Sequence, residues 1–333
     1  MASLKDVARL ANVSLMTVSR AINSPGLLKP ETLKQVQQAI ESLNYVPDFS
    51  ARKIRGKSSK ISTVGVLALD TATTPFSVEM ILSIEQTARQ FGWSSFVVNI
   101  TSSEDSERAV RQLLSQRPDG IIYTTMGLRE VSIPETLHNN RLVLANCVDK
   151  ENKFPAYIPD DFNGQYNAVE RLIDKGYRHP LCLYIPQETL AGKIRSEAVE
   201  AAWNNANLPK QSLKQYHLEL GDEHYLDVIN LINRHFKNKK PDFDVVICGN
   251  DRIAFLAYQV LLSHGLRIPQ DIAVLGYDNM IGVGELFYPP LSTVVLPHYQ
   301  LGQQAALHII EERQLDGVQY VACDLLERNS FNI

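Results

Sequence analysis

The sequence predicts an α/β protein with a small helical unit at the N-terminus and two doubly wound parallel-sheet lobes behind it. Residues 4–23 have the pattern of two short helices joined by a tight turn. From residue 61 onward, short apolar strands alternate with amphipathic helices, which is typical of parallel sheets covered on both faces. A break in this alternation near residue 160 favours two lobes over one large sheet.

Length and charge agree with this division. The 333 residues are enough for two or three domains of roughly 100–200 residues, and 44% apolar with 21% charged residues is ordinary for globular protein. The net charge of −4 is uneven, because residues 1–60 carry 10 Lys and Arg against 4 Asp and Glu, a net +6, and the rest carries −10. A basic N-terminal module on an acidic body places any nucleic-acid contact at the N-terminus.

Several classes of protein are disfavoured. Lys5, Asp6 and Arg9 interrupt any apolar region of a secretory signal peptide, and no stretch approaches the ~18 apolar residues of a membrane span. The cysteines are far apart and lack metal-binding spacing, so we expect buried, reduced thiols, no metal and no cofactor. They are Cys147, Cys182, Cys248 and Cys323.

The first two helices predict a helix-turn-helix. Asn12 in the turn tolerates the left-handed conformation, and Ser14 stands where an N-cap belongs. Val18 and Ile22, four residues apart, direct the second helix back at Val7 and its neighbours in the first. The outward face is then left to Leu15, Met16, Thr17, Ser19 and Arg20. Such a face at a helix N-terminus suits the DNA major groove, whereas a helical cap unrelated to nucleic acid is the alternative.

A third helix completes an N-terminal domain over residues 1–46. Residues 24–26 are expected to form a loop, and Pro30 then begins the helix, because its fixed φ suits a first turn. An apolar stripe of Leu33, Val36, Ile40 and Leu43 would cover the first two helices. Asn44 is a plausible left-handed stop.

Residues 47–60 are predicted to be a hinge helix and linker. The segment contains helix formers and four basic residues up to Lys57, but little apolar surface, and so short a helix is marginal alone in water. A solvated linker is one interpretation. The other is a hinge that becomes helical only on DNA, with Ile54 as a wedge for the minor groove.

The alternation beyond residue 61 defines the core. Strands are expected at 62–69, 94–100, 119–124, 142–147, 181–186, 216–220, 244–249 and 272–277. Helices are expected near 77–92, 103–116, 162–175, 193–206, 225–236 and 253–265. We assign about 61–160 and 297–320 to an N-lobe and about 161–296 and 321–333 to a C-lobe. Ligands of such sheets lie at the carboxyl ends of the strands, and two lobes offer a cleft.

Several motifs resemble the LacI/GalR family of bacterial repressors, in the family's order from residue 3 to about 328. They are LKDVARLANVSLMTVSRAIN, LNYVPDFSARKIRG, DGIIYTT, ICGNDRIAF and IPQDIAVLGYDN with PPLSTV behind it. Within the family, the chain most resembles regulators of sucrose use, on the basis of the segments DTATTPFSVEMILSIEQTA and YIPDDFNGQY. The resemblance implies a cytoplasmic repressor, nucleoid-associated when bound, that a small sugar (sucrose or its hydrolysis products) releases from operator DNA.

The resemblance also implies which residues bind DNA. Leu15, Met16 and Arg20 match base-reading positions, where Arg20 can pair with guanine and the two apolar side chains can meet thymine methyl groups. Positions that hold the phosphate backbone are matched by Ser14, Thr17, Ser19, Asn23 and Tyr45, with capping and packing as the alternative role. In the hinge, Ile54 matches a minor-groove leucine, and Ser50 is assigned to the same DNA-binding helix.

An effector site is implied in the cleft. Arg195 matches the family's effector-binding arginine and Asp278 its acidic partner across the cleft, and a planar donor fork opposite a carboxylate suits adjacent sugar hydroxyls. A surface ion pair is the alternative for both. Further candidates at or near strand ends are Asp70, Thr74, Phe76, Asn250 and Arg252. Weaker candidates, equally compatible with a structural role, are Thr124, Asn146 and His298.

Two other classes of function are weaker. Asp160 and Asp161 could be an acid pair, but adjacent residues in an extended segment point apart, and residues 282–284 (GVG) lack a dinucleotide-binding context. We therefore expect no enzyme. A soluble sugar-binding protein with the same two lobes would need an export signal and no DNA-binding head. The chain lacks the C-terminal heptad segment that makes some family members tetrameric, so a homodimer on a near-palindromic operator is expected.

Overall fold

The computed structural model describes residues 2–45, 62–70, 75–100, 106–238 and 240–331. The chain divides into two compact units, Met1–Ser62 and Thr63–Ile333, which we call the head and the core and describe separately. The predicted hinge helix, with Ser50 and Ile54, and the candidate Thr74 lie outside the described residues. The side chains of Asn23 and Phe76 are also outside the description.

The head contains three helices: α1 (Leu4–Leu10), α2 (Leu15–Asn23) and α3 (Pro30–Ser42). Val7, Val18 and Val36, one from each helix, are fully buried at its centre. Asn12 has a φ of 46° in the turn and Asn44 a φ of 44° after α3, which confirms both predicted left-handed residues. The loop predicted at residues 24–26 is instead a short 3₁₀ turn, Pro25–Leu27, entered through proline.

The first sheet of the core forms the N-lobe. Its strands are β1 (Thr63–Leu69), β2 (Ser94–Ile100), β3 (Gly120–Val131), β4 (Leu142–Asp149), β5 (Ala156–Pro159) and β13 (Val318–Val321). Their order is β13-β5-β4-β3-β1-β2, and every pair is parallel. Apolar residues on its two faces pack against α4 (Pro75–Gln90), α5 (Ser106–Ser115) and α10 (His298–Ile310).

The second sheet forms the C-lobe. Its strands are β6 (Pro180–Tyr184), β7 (Lys214–His217), β10 (Val245–Cys248), β11 (Ala273–Asp278), β12 (Ser292–Val295) and β14 (Leu325–Leu326). Their order is β14-β12-β11-β10-β6-β7, with β14 antiparallel to β12. The covering helices are α6 (Asp161–Asp174), α7 (Leu190–Asn205), α8 (Asp227–Asn233) and α9 (Asp251–Ser263). A small hairpin, β8 (Phe236–Lys237) with β9 (Lys240–Pro241), stands apart.

The two predicted lobes are present, and the structure corrects several elements. β3 extends to Val131 rather than ending near residue 124, because a register shift between Thr124 and Arg129 lets it pair with β4 again. The helix predicted at 225–236 is a 3₁₀ turn, Asp222–Leu226, followed by the shorter α8. Sequence reasoning also missed β5, the β8–β9 hairpin and every element from β12 onward. These missed strands are short, so their apolar runs carry little periodicity.

Candidate DNA interface and effector site

The outward face of α2 is the candidate DNA interface. Val18 is fully buried against the rest of the head, and this fixes the rotation of the helix. Leu15 and Met16 are then 43% and 64% exposed at the first turn, and Arg20 is exposed near the last. Large apolar side chains exposed beside a cation are typical of a surface that a partner covers.

The predicted phosphate-contacting residues have different surroundings. The Oγ of Ser14 accepts a hydrogen bond from the Thr17 backbone N–H at 3.1 Å and lies 2.9 Å from the Thr17 hydroxyl, so Ser14 is a helix cap. Tyr45 is half-buried and packs against the hydrophobic core of the head, and Ser19 is half-buried. Lys5 and Arg9, which sequence reasoning did not assign to DNA, are exposed along a groove beside the start of α2.

The candidate effector site is built around Arg195, which is only 4% exposed although it is charged. Its Nε donates to Asp161 Oδ1 at 2.9 Å and its Nη1 donates to the Gly249 carbonyl at 2.7 Å. Nη1 also lies 3.5 Å from Asp278 Oδ1, and the guanidinium stacks 3.6 Å above the ring of Tyr277. These groups come from the start of α6 and the carboxyl ends of β10 and β11.

This arrangement corrects the expectation that Asp278 faces Arg195 across the cleft. Both residues belong to the C-lobe, because α7 packs beside α6 and against the same sheet that contains β11. The partner that sequence reasoning missed is Asp161. It is not in an extended segment but is the first residue of α6, with Asp160 as the N-cap.

Burial dominates the electrostatics of this cluster. Burial raises the pKa of Asp278 well above its usual range, and Arg195 opposes this shift. For Arg195, burial opposes the charge, but Asp161, Tyr277 and Asp278 together outweigh it and raise the pKa of the guanidinium. The result is a charged donor fork beside a carboxyl group whose pKa is raised by burial.

Asp278 is the last residue of β11, and a second buried carboxyl group holds the segment that follows it. Asp278 and Asn279 have φ values of 107° and 52°. Asp251, the first residue of α9, accepts a hydrogen bond from the Met280 backbone N–H at 2.7 Å and another from the Thr293 hydroxyl at 2.8 Å. Burial raises the pKa of Asp251 to about 6. Nothing in the sequence distinguished Asp251 from an ordinary helix-start residue.

His298 brings the N-lobe to the cluster. It begins α10 and is 5% exposed. Burial, followed by the positive charge of Arg195, lowers the pKa of His298 to about 4. The imidazole is therefore neutral at pH 7 and can both donate and accept a hydrogen bond.

Asn250 and Arg252 lie at the end of β10, where they were predicted. Asn250 caps α9 by accepting from the Ile253 N–H at 3.0 Å, and its amide donates to the hydroxyl of Tyr225 at 2.7 Å. Arg252 stacks 3.9 Å from the ring of Tyr225 and pairs with the exposed Asp222 at 2.8 Å. Tyr225 thus joins the two predicted residues, a link that the sequence did not reveal.

The N-lobe candidates divide into two groups. Asp70, with a φ of 57°, follows β1 and pairs with Arg129 at 3.0 Å. The Thr124 hydroxyl donates to the sulfur of Met80 at 3.0 Å. Asn146 donates from its side chain to the Thr125 carbonyl at 3.1 Å. The contacts of Thr124 and Asn146 are therefore internal to the lobe, as a structural role requires.

Two buried polar atoms near Arg195 lack a hydrogen-bond partner within the described residues. They are Asp161 Oδ2, an acceptor, and Gln165 Nε2, a donor, one turn apart on α6. A buried polar atom without a partner costs roughly 1–3 kcal/mol. A hydroxyl group is able to supply either kind of missing bond, because it donates and accepts.

In the parts of the chain that the structure describes, no cluster of His, Cys, Asp and Glu could hold a metal ion. All four cysteines are buried free thiols, as predicted. A search of the described helices found none with the length and apolar character needed to cross a membrane.

Comparison with family models covers both units. Residues 3–48 match the model described as bacterial regulatory proteins, lacI family. Residues 62–328 match the model of periplasmic binding proteins and sugar binding domain of LacI family.

Similar curated proteins match over nearly the whole chain. The sucrose operon repressors of Escherichia coli and Shigella flexneri are each 57% identical over 330 residues, which is 99% of this chain and 100% of theirs. The HTH-type transcriptional repressor PurR of Aliivibrio fischeri is 31% identical over 322 residues, 95% of this chain and 93% of its own.

Solved structures are similar in fold. The Lac repressor bound to ONPG in the repressed state superposes with a TM-score of 0.82 at 24% identity, covering 99% of each chain. The complex of the transcriptional regulator CelR with cellobiose has a TM-score of 0.67 at 25% identity and covers 99% of this chain and 100% of that one.

Proposed function

The chain belongs to the LacI family of bacterial regulatory proteins, and we propose that it is a sugar-responsive repressor of a sucrose utilisation operon. The observation that carries the proposal is the combination, in one chain, of an exposed helix-turn-helix face and a buried arginine–carboxylate cluster at the strand ends of a two-lobed core. The first suits operator DNA and the second suits sugar hydroxyls. The identity of 57% to the two sucrose operon repressors supports sucrose as the controlled substrate.

We propose that Leu15, Met16 and Arg20 read bases in the major groove. Ser14, Thr17, Ser19, Asn23 and Tyr45 would hold the phosphate backbone, alongside the exposed cations of α1. A homodimer would place two heads on a near-palindromic operator, since a protein with two-fold symmetry binds two half-sites that are related by the same symmetry. Residues 47–60, with Ser50 and Ile54, would form the hinge between each head and its core. The repressor would act in the cytoplasm, on the nucleoid, because its operator DNA lies there.

The effector is a small unphosphorylated sugar. Arg195 and Asp278 would bind adjacent hydroxyl groups, with His298, Asn250 and Arg252 at the edges of the site. Each arginine of the site has a carboxylate partner: Arg195 has Asp161 and Asp278, and Arg252 has Asp222. A phosphate would therefore meet no excess of positive charge, whereas hydroxyl groups need both the donors and the acceptors.

Release from the operator requires that the sugar binds two states of the protein with different affinity. The site contains residues from both lobes, because His298 belongs to the N-lobe and Arg195 to the C-lobe. A sugar that binds one relative placement of the lobes more tightly shifts the protein toward that placement. If this state has the lower affinity for DNA, the sugar releases the repressor, and the operator reciprocally weakens the sugar.

The experiment measures operator binding by fluorescence anisotropy with and without sucrose, fructose or glucose, on a near-palindromic duplex selected from random DNA. We expect one of these sugars to weaken operator binding at least tenfold. Asp278→Asn should bind the operator as the wild type does and lose the sugar response, because one of the two carboxyl oxygens becomes an NH2 donor and the group can no longer ionise. We prefer it to Arg195→Ala, which leaves two carboxyl groups buried without their cation and threatens folding.

The matched control is Asp271→Asn, which removes an exposed carboxylate paired with Arg267 at 2.9 Å and should change neither property. A wild-type protein that binds sugar but no DNA would instead be a sugar-binding protein without a regulatory role. A normal sugar response in Asp278→Asn would remove Asp278 from the effector site.

A further inference from the structure

A second arginine–carboxylate pair lies in the N-lobe, at the carboxyl ends of β1 and the first part of β3. Arg129 Nη1 donates to Asp70 Oδ2 at 3.0 Å. The two side chains are 37% and 36% exposed, so neither is an interior salt bridge and both can be reached by a ligand. The pair offers a donor fork beside a carboxylate, as Arg195 and Asp278 do in the C-lobe.

The backbone holds this pair in place. Arg129 lies just after the register shift of β3, and its Nη2 donates to the Met126 carbonyl at 2.6 Å. The positive φ of Gly127, 72°, makes the turn between these two residues. Asp70 follows the last residue of β1, which lies between β3 and β2 in the sheet. A rigid fork of this kind loses little side-chain entropy when a ligand binds.

The neighbours of this pair and of Arg195 along the chain pack in one buried apolar cluster. Leu69 and Leu128, which precede Asp70 and Arg129, belong to a hydrophobic cluster that also contains Ile194, the residue before Arg195. Ala191, one turn earlier on α7, is buried in the same cluster. One buried apolar cluster therefore contains residues that directly precede Asp70, Arg129 and Arg195 along the chain.

We infer that Arg129, held by Asp70, is a specificity-determining residue that binds the second ring of a two-ring sugar whose first ring is held by Arg195 and Asp278. The inference rests on the proposed function, that of a sugar-responsive repressor. Each pair provides the donors and acceptor that one vicinal diol needs, and the pairs stand on different lobes, so a ligand that uses both spans the cleft.

Arg129→Ala tests this by calorimetric titration of the full-length protein with sucrose and, separately, with fructose and glucose. We expect sucrose affinity to fall about tenfold to a hundredfold, because charge-assisted hydrogen bonds to the second ring are lost. Affinity for the one-ring sugar that binds should stay within about twofold. Arg129→Lys should be intermediate for sucrose, since an ammonium group keeps the charge but not the fork.

The matched control is Arg141→Ala. Arg141 belongs to the same lobe, is 39% exposed and pairs with Glu312 at 3.0 Å, but it precedes β4, at the opposite edge of the sheet. It should leave both affinities unchanged. Equal weakening for one-ring and two-ring sugars by Arg129→Ala, or no weakening at all, would overturn the assignment and leave a structural ion pair. If the wild-type protein binds none of these sugars, the proposed function itself fails, which is a separate result.

Discussion

The guanidinium of Arg195 stays charged inside the protein because oxygen atoms from three separate elements surround it. Asp161, Asp278 and the Gly249 carbonyl converge on it from α6, β11 and the end of β10. Taking such charges out of water costs several kcal/mol per ion, so the cluster is weak evidence for stability and better evidence for a binding role. A ligand with both donors and acceptors can join the cluster without adding charge.

His298 gives a pH-dependent prediction at the same scale. Its pKa in the folded protein is about 4, below the ordinary value of 6.5, so protons bind preferentially to the unfolded chain. The stability that its neutral form contributes is fully present above pH 6.5 and decreases as the pH falls toward 4. Through His298, the free energy of unfolding of the wild-type protein should fall by about 2 kcal/mol between pH 7 and pH 5. The variant His298→Phe should lack this part of the decrease.

Urea denaturation at pH 5, 6 and 7 measures this difference. Asp251 acts in the opposite direction: because its pKa is raised to about 6, its contribution to the free energy of unfolding decreases as the pH rises. The pH dependence of His298→Phe is therefore compared with that of the wild-type protein, and not one pH value with another. His179→Phe, at an exposed position, is the control and should keep the wild-type dependence. An unchanged dependence in His298→Phe would show that His298 is solvated.

At the scale of elements, the recognition helix α2 is oriented by its buried side. Val18 and Ala21 face α1 and α3, and Ser14 caps the first turn. The exposed Leu15 and Met16 follow from that orientation, not from any property of their own. A helix with one such anchored face presents the opposite face rigidly, which is what base reading requires.

Arg20→Ala should weaken operator binding by about 1–3 kcal/mol and leave sugar affinity unchanged, because a bidentate contact to guanine is lost. Anisotropy with the operator and with a variant carrying a substituted guanine is the measurement, and the mutant should no longer distinguish the two. Lys34→Ala removes an exposed cation of α3 on the same head and serves as the control. If Arg20→Ala still discriminates between the two duplexes, Arg20 contacts only the backbone.

At the scale of the whole molecule, effector binding and DNA binding lie in different compact units. Within the core, α7 joins the lobes, because its Ala191 is buried in the N-lobe cluster and its Arg195 in the C-lobe site. Residues 47–60 connect the two units along the chain, and we predict that a sugar that repositions the lobes acts on the heads through them. The hinge prediction for this segment rests on the sequence alone.

Ile54→Ser tests the hinge. The wedge should contribute to the specific complex but not to phosphate contacts, so specific operator binding should weaken much more than non-specific binding. Amide exchange of residues 48–56 should slow when operator DNA is added, and non-specific DNA of the same length is the control. Strong protection of these amides without DNA would make the segment a fixed spacer and exclude this switch.

The sequence by itself determined the parts that depend on local pattern. Asn12, Ser14 and Val18 specify the helix-turn-helix through turn, cap and spacing, and the alternation of strands and helices specified two parallel-sheet lobes. It also singled out Arg195 and Asp278, through motifs that resemble a known family, and that family membership is confirmed over both units. Local chemistry is legible because it depends on residues within one or two helical turns.

Only the tertiary structure decided which residues meet. Asp161 and Arg195 are 34 positions apart, and the carboxylate that sequence reasoning had set aside is the closer of the two carboxylate partners of the arginine. Asp251 holds the segment that follows Asp278, Tyr225 links Asn250 to Arg252, and Arg129 joins Asp70 across 59 positions. These contacts form because the carboxyl ends of parallel strands gather distant segments at one edge of a sheet, and no local pattern records which segments those will be.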